Sequence, residues 1–402
     1  MRRRDFLKFL SALAAAAAGG FIAGWSLLKP RVEKADVVVV GGGVAGSVVA
    51  YLLRRNGVRA VVLDKGGVYI VGPAKEDVVL GMAQPGQYAV GPSGLAGGEV
   101  FAVDPANRLV YSTAGVYEYR YLVLAPGVHL AYNLVKISGR PNFINIYDTP
   151  NVLSNAGRLA SAKGRVVISH PGLPYRCTSA PYELAFLLKW LRPEAQITVV
   201  SGVKYVPADF SDQLSALGGA IYKLLDERGI GFVGGREVVE VAEGHVVLDD
   251  GEALAYDWLV WTPPHVGPPW LIDAGLADES HKGYVEVDSR FRALGWDDVY
   301  AVGDATWHVV KTGWAAYYEA VHAAYYLLED MGLPPSSPPP PYFYSEDEVR
   351  LSRDVAVRGA KMWRPFYGPV VWRADYGASP EWAVVKYDWM SRMKYLLSLI
   401  RK

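Results

Sequence analysis

A chain of 402 residues exceeds the ~100–200 residues of one ordinary domain, so two or three domains are expected. With 51% apolar and 20% charged residues, and 42 Gly and 26 Pro spread along its length, it is not disordered, collagen-like or a coiled coil. Lys plus Arg (41) equals Asp plus Glu (41), leaving no positive field for nucleic acid, and the single cysteine, Cys177, excludes an internal disulfide and a Cys-built zinc or iron–sulfur centre.

The chain opens Arg2-Arg3-Arg4-Asp5-Phe6-Leu7-Lys8, and an uncharged run follows from Phe9 to Leu28. Paired arginines before a mild apolar stretch resemble a twin-arginine export signal, a route that carries folded proteins. A run of ~20 apolar residues spans a bilayer. The polar stretch Lys29–Ala35 offers no small-x-small cleavage site. Residues 1–34 are therefore expected to stay as a membrane anchor, with the body at the extracytoplasmic face of the cell membrane. The other reading is an Ala-rich helix packed on the body.

From Ala35 the pattern changes. Val37–Val40 reads as a buried parallel strand, followed by Gly41-Gly42-Gly43-Val44-Ala45-Gly46 and an apolar helix through Leu53. Gly41 allows the tight turn, Gly43 lets the backbone approach a pyrophosphate and Gly46 allows close helix–strand contact. Val44 and Ala45 open the helix, whose N-terminus favours the anion. A second strand, Ala60–Leu63, ends at Asp64, where a carboxylate accepts from a ribose hydroxyl, with Lys65 beside it. A second αβ stretch covers about 160–270: strand Arg165–Ser169, helix Pro181–Leu191, strand Gln196–Val200 and helix Ser211–Arg228. Val299–Asp304 is a further strand before a long helix to about Glu329. Leu333–Pro341 holds six prolines and reads as a stiff linker to a Trp- and Tyr-rich tail. The seven histidines show no metal-ligand spacing, and no metal is expected.

Three segments resemble those of flavoproteins with two dinucleotide domains. Tyr121-Leu-Val-Leu-Ala125-Pro126-Gly127 is similar to their second strand-turn. Val299-Tyr-Ala-Val-Gly303-Asp304-Ala305 is similar to the late flavin motif, whose Asp bonds the ribityl chain. Lys311-Thr312-Gly313 opens a helix whose N-terminus would face the electron-rich end of the reduced flavin. Glu99-Val100 resembles the position where a valine backbone meets the adenine. The resemblance implies FAD and an α/β fold with two Rossmann-like dinucleotide-binding domains plus a small C-terminal domain. The FAD domain would comprise 35–155 and 285–332, the NAD-like domain 156–284, and the C-terminal domain 333–402.

The second unit lacks a glycine fingerprint. After Val166-Val-Ile-Ser169 the chain reads His170-Pro-Gly-Leu-Pro-Tyr-Arg-Cys177, which cannot present the row of N–H groups a pyrophosphate needs. Tyr175-Arg176-Cys177-x-x-x-Pro181-Tyr182-Glu183 resembles the redox-cysteine segment of the flavocytochrome c sulfide dehydrogenase flavoprotein subunit and of the sulfide:quinone oxidoreductases. Trp261-Thr-Pro263-Pro264-His265 matches their Pro-Pro turn. The resemblance implies Cys177 as nucleophile or sulfur carrier, Glu183 as acid/base, and cytochrome c or quinone as electron acceptor. A helix N-terminus with Arg176 beside it is expected to lower the Cys177 pKa. The chain departs from the family in having no second cysteine after Pro340-Pro341, and none in Tyr69–Lys75, so the flavin is expected to be non-covalent.

Two other readings remain: an NADH:acceptor dehydrogenase, which the missing glycines disfavour, and a flavin electron-transfer subunit without substrate chemistry of its own. In Trp389–Ile400, residues 389, 393, 396, 397 and 400 share one helical face, with Arg392, Lys394, Arg401 and Lys402 near it. Such a helix either rests on a membrane, which would favour quinone, or packs on the body.

Overall fold

The computed structural model describes residues 32–92, 94–205, 216–307, 311–333, 335, 337–364, 366 and 372–400. The signal-like segment lies outside the described residues apart from its last three, which already belong to a strand.

In chain order the elements used below begin with β1 (Val32–Val40), α1 (Val44–Arg55), β2 (Ala60–Asp64) and α2 (Ala74–Val79). Strands β3 (Ala96–Gly97), β4 (Val100–Asp104), β5 (Leu109–Ser112) and β6 (Gly115–Leu124) follow. The middle of the chain supplies β7 (Arg165–His170), α3 (Ala180–Leu191), β8 (Gln196–Ser201), α4 (Ala216–Glu227), β9 (Gly231–Gly234) and β10 (Trp258–Trp261). It then returns through β11 (Val299–Ala301) and α5 (Gly313–Asp330). The chain closes with β12 (Phe343–Arg350), β13 (Ala356–Trp363), β14 (Trp372–Ser379) and α6 (Pro380–Ile400).

Among the described residues the first sheet is seven-stranded, in the order β3-β2-β1-β6-β5-β4, with β11 also paired to β6. Strands β2, β1, β6 and β11 are parallel. Val37 to Val40 are buried on both faces, as the unbroken β-branched run requires. The strand starts earlier than its apolar run, because Val32 to Ala35 pair with Val116 to Tyr119 of β6. The second sheet, β9-β8-β7-β10, is wholly parallel. Each of these sheets has its ligand-side edge at the carboxyl ends of its strands, where α/β folds bind.

The tail is a three-stranded antiparallel sheet, β12-β13-β14, covered by α6. Met390, Met393 and Leu397 of α6 are buried in the same cluster as Val78, Phe186 and Val349. The apolar face of this helix therefore packs on the body. No helix among the described residues is long and apolar enough to cross a membrane.

Candidate functional site

The dinucleotide cradle forms where three distant segments meet at the carboxyl edge of the first sheet. Gly41, at φ +99°, donates its N–H to Leu63 O at 2.7 Å. A Cβ there would overlap the Ala125 carbonyl, and a Cβ on Gly46 would overlap that of Gly41. Gly43, by contrast, faces open space: nothing lies within 4 Å of where its Cβ would be. Asp64 accepts from Gly42 N at 2.7 Å and from Gly66 N at 2.9 Å, so its carboxylate is fixed at the end of β2 beside the glycine turn. Lys65 is exposed, and Val100 is buried at the start of β4. Ala125 N bonds Val40 O at 2.8 Å, which lays Ala125-Pro126-Gly127 alongside the glycine loop. Gly303, at φ +72°, approaches the Ala45 methyl, so the late motif closes over the start of α1. Its N–H donates to the buried Glu319 at 2.6 Å, and Asp304 follows in the same turn. Thr312 caps α5 by accepting from Ala315 N at 3.1 Å, with Gly313 as the first helical residue.

Lys311 is buried. Its Nζ donates to Asp304 O (3.1 Å) and Thr306 O (2.8 Å) and stands 4.0 Å from the Tyr284 ring centre, and burial lowers its pKa to about 8. Its carbonyl accepts from Cys177 N–H at 2.8 Å. This bond brings the cysteine loop of the second unit onto the late motif of the first.

The cysteine loop departs from expectation in one respect. The Arg176 guanidinium is engaged elsewhere: it donates to Tyr147 O at 2.7 Å and lies over the Tyr147 ring. Burial, followed by the charges of Asp347 and Glu76, pushes the Cys177 thiol up to about 12. Adjacency to Arg176 in sequence thus fails to produce a lowered pKa, because burial raises the thiol first and the charges of Asp347 and Glu76 add to it against the opposing charge of Lys386.

His265 starts the short strand His265–Val266, which pairs with His129–Leu130 just beyond Gly127. Its Nδ1 accepts from Arg176 N–H at 3.0 Å, so the hydrogen of the neutral ring is assigned to Nε2. Burial, with the charges of Arg176 and Lys311, keeps the ring neutral. That Nε2 and the buried Tyr284 hydroxyl have no partner among the described residues. Two unsatisfied donors beside Arg176 and Lys311 fit a ligand rich in acceptor atoms, and the bare approach at Gly43 fits a pyrophosphate. The residues present therefore fit FAD. His170 is instead fully engaged, with Pro171 O and the Tyr182 hydroxyl as partners, and burial lowers its pKa to about 4.

The corresponding turn of the second unit is closed to a dinucleotide. Gly172 N–H donates to the Glu237 carboxylate at 2.8 Å, and that carboxylate also crowds Gly202 at the end of β8. An anion already holds the backbone donor that a pyrophosphate would seek, and its charge repels a second one.

Behind Cys177 lies an ion cluster that sequence reasoning missed, apart from Glu183. The Arg350 side chain has no exposure, and it donates to Glu183 Oε1 at 2.7 Å and to both Asp77 oxygens at 2.7 and 2.9 Å. Lys386 reaches Glu183 Oε2 at 3.1 Å and Glu348 O at 2.7 Å. Both Glu183 oxygens are thus locked in ion pairs. Burial alone would raise its carboxyl, but Lys386 and Arg350 outweigh burial and hold it below its ordinary value. This corrects the acid/base role expected of Glu183: a carboxylate clamped by two cations does not take up a proton near neutrality. Burial, then the Glu183 charge, pushes Glu76 up to about 8, and burial pushes Glu348 up to about 7. One sequence signal was available, since Glu348 and Arg350 alternate on one face of β12.

Residues 35–169 match the family model for Pyridine nucleotide-disulphide oxidoreductase. The sulfide:quinone oxidoreductase of the hyperthermophilic bacterium Aquifex aeolicus has the same fold, with a TM-score of 0.78 at 19% identity and 92% of each chain covered. A chain of the Tetrahymena thermophila mitochondrial ATP synthase superposes with a TM-score of 0.71 at 15% identity, over 93% of this chain and 97% of that one. Putidaredoxin reductase, solved in covalent complex with putidaredoxin, gives 0.63 at 16% identity, over 90% and 93%.

Proposed function

From a chain whose residues 35–169 belong to the pyridine nucleotide-disulphide oxidoreductase family, and whose fold is that of FAD-dependent oxidoreductases, we propose an enzyme that oxidises sulfide or a related reduced sulfur species through Cys177. The observation that carries this reading is the bond from Cys177 N–H to Lys311 O, which holds the lone cysteine against the late flavin motif. When bound, FAD supplies a two-electron acceptor. Gly41, Gly43, Val44, Ala45, Gly46, Asp64, Lys65, Val100, Ala125, Pro126, Gly127, Gly303, Asp304, Lys311, Thr312 and Gly313 would hold it, with Asp64 toward the ribose and Asp304 toward the ribityl chain.

Cys177 is the reacting sulfur. Joining a hydrosulfide sulfur to its thiol as a persulfide releases two electrons and two protons, so atoms and charge balance without a second cysteine. The electrons leave to a quinone or a c-type cytochrome, at the outer face of a membrane to which the segment ahead of β1 anchors the protein.

Anaerobic titration of the FAD-loaded protein with sulfide is expected to bleach the flavin absorbance, or to produce a long-wavelength charge-transfer band. Either response should vanish in Cys177→Ser. A flavin that stays oxidised in both proteins would sink the assignment. NADH is expected to leave the flavin oxidised over minutes, because Glu237 closes the second dinucleotide turn. Rapid bleaching by NADH would instead establish the dehydrogenase reading.

A further inference from the structure

The cradle read from the sequence ends at Lys311, Thr312 and Gly313, and none of its residues is His265 or Tyr284. The His265 ring is 3% exposed and the Tyr284 side chain is fully buried, yet His265 Nε2 and the Tyr284 hydroxyl have no hydrogen-bond partner among the described residues. Burial raises the Tyr284 pKa, so its hydroxyl keeps its proton and stays a donor. Direct contacts join both residues to the cradle. Val285 N–H donates to Ala305 O at 2.9 Å and Trp307 N–H to Val285 O at 2.7 Å, which lays Tyr284 alongside the late motif, with Lys311 Nζ 4.0 Å from its ring centre. His265 pairs with Leu130, and Ala131 N–H donates to Pro264 O at 2.9 Å, so this turn is bound to the segment after Gly127. Gly267 brings the two together: its N–H donates to Lys282 O at 2.9 Å, and a Cβ on it would overlap the Gly283 carbonyl and crowd Tyr284 N. The circuit closes through the cysteine loop, where His265 accepts from Arg176 N–H and Cys177 N–H donates to Lys311 O. Two other buried hydroxyls lack partners, but elsewhere: Tyr119 pairs with Ala35 near the amino end of β1, and Ser169 lies within β7 between β8 and β10.

We propose that the Tyr284 hydroxyl and the His265 Nε2–H donate hydrogen bonds to the flavin ring and raise its reduction potential. The glycine turn and Asp64 serve the pyrophosphate and ribose, and Asp304 the ribityl chain. Donors joined to Lys311 and to the cysteine loop therefore meet the part of the ligand that lies beyond the ribityl chain, which is the ring. The acceptor atoms of the ring become more electron-rich on reduction, so fixed donors hold the reduced form more tightly than the oxidised one. A cationic Lys311 acts in the same direction.

The proposal rests on the assignment of Asp304 and Lys311 to the flavin but not on sulfur chemistry, and its test uses neither sulfide nor Cys177, so either reading can fail alone. The potential of the bound flavin is measured by anaerobic reduction against a reference dye, and FAD affinity by titration of the flavin-free full chain. Tyr284→Phe should weaken the preference for reduced over oxidised flavin about tenfold, a shift of about 30 mV to more negative potential, and weaken FAD binding about tenfold. Without flavin the same variant should melt no lower than the wild type, because the hydroxyl it removes bonds nothing in the protein. His265→Asn keeps an amide oxygen to accept from Arg176 N–H while losing the Nε2–H, and should shift potential and affinity in the same direction. Wild-type potential and affinity in either variant would overturn the assignment of that residue. A flavin-free Tyr284→Phe that melts well below the wild type would overturn it too, since the hydroxyl would then serve the protein. If a variant takes up no FAD at all, affinity alone decides in favour, provided the flavin-free chain melts as the wild type does.

Discussion

Arg350→Met should lower the stability of the folded protein by roughly 3–5 kcal/mol, the cost of stranding a buried charge by removing its partner. Arg350 has no exposed side-chain surface, and it pairs with Glu183 and Asp77, which are 1% and 2% exposed. Methionine fills similar volume, so the loss is electrostatic rather than a cavity. Replacing the whole cluster by apolar residues would not carry this cost, because nothing charged would be left behind. The effect has a defined pH dependence. Glu183 is held below its ordinary value, so its stabilising contribution is present above about pH 4.5 and is lost as pH falls through its folded-state value. Denaturant midpoints of the two proteins should therefore lie far apart at pH 7 and converge in acid. Equal midpoints at pH 7 would show that Arg350 does not carry the cluster.

A pair of glycine variants is expected to separate cofactor binding from folding. Gly43→Val adds a side chain where nothing of the protein lies within 4 Å, at φ −71°, which any residue adopts. The apoprotein should keep its far-UV circular dichroism and melting temperature, while affinity for FAD falls by about 100-fold or more because the new methyls occupy the pyrophosphate approach. Gly46→Val should damage both, since its Cβ collides with the Gly41 carbonyl. FAD binding that survives Gly43→Val would mean that the pyrophosphate runs elsewhere.

The glycine turn of the cradle was legible in the sequence because its information is local. Gly41, Gly43, Gly46 and Asp64 lie within one β-α-β unit, and strand, turn and helix impose their own residue types. The departure of the second unit was legible for the same reason: prolines stand where a pyrophosphate turn needs N–H groups. The seal supplied by Glu237 was not, being brought there from a distant turn. The ion cluster was invisible because Asp77, Glu183, Arg350 and Lys386 come from four segments, each reading alone as a solvated charge. The state of Cys177 was misjudged for a related reason. Its neighbour in the chain is an arginine, yet burial, followed by the charges of Asp347 and Glu76, is what sets the thiol. The closing helix shows the limit of periodicity, since a stripe of Trp389, Met393, Leu396 and Leu397 says that something covers it but not what. In the fold the cover is the protein's own core.

The closing helix also carries a consequence for the order in which the protein is made. Both cations that neutralise Glu183 and Asp77 come from its far end, Arg350 on β12 and Lys386 on α6, and Lys394 fastens that helix to the carbonyls of Gly86 and Gln87. A chain still emerging from the ribosome can fold its glycine cradle early, because β1, α1 and β2 are contiguous. The acids Asp77 and Glu183, however, lack their full set of cations until residue 386 has been synthesised. A nascent chain cut short before residue 350 is therefore left with both acids and neither of their cations.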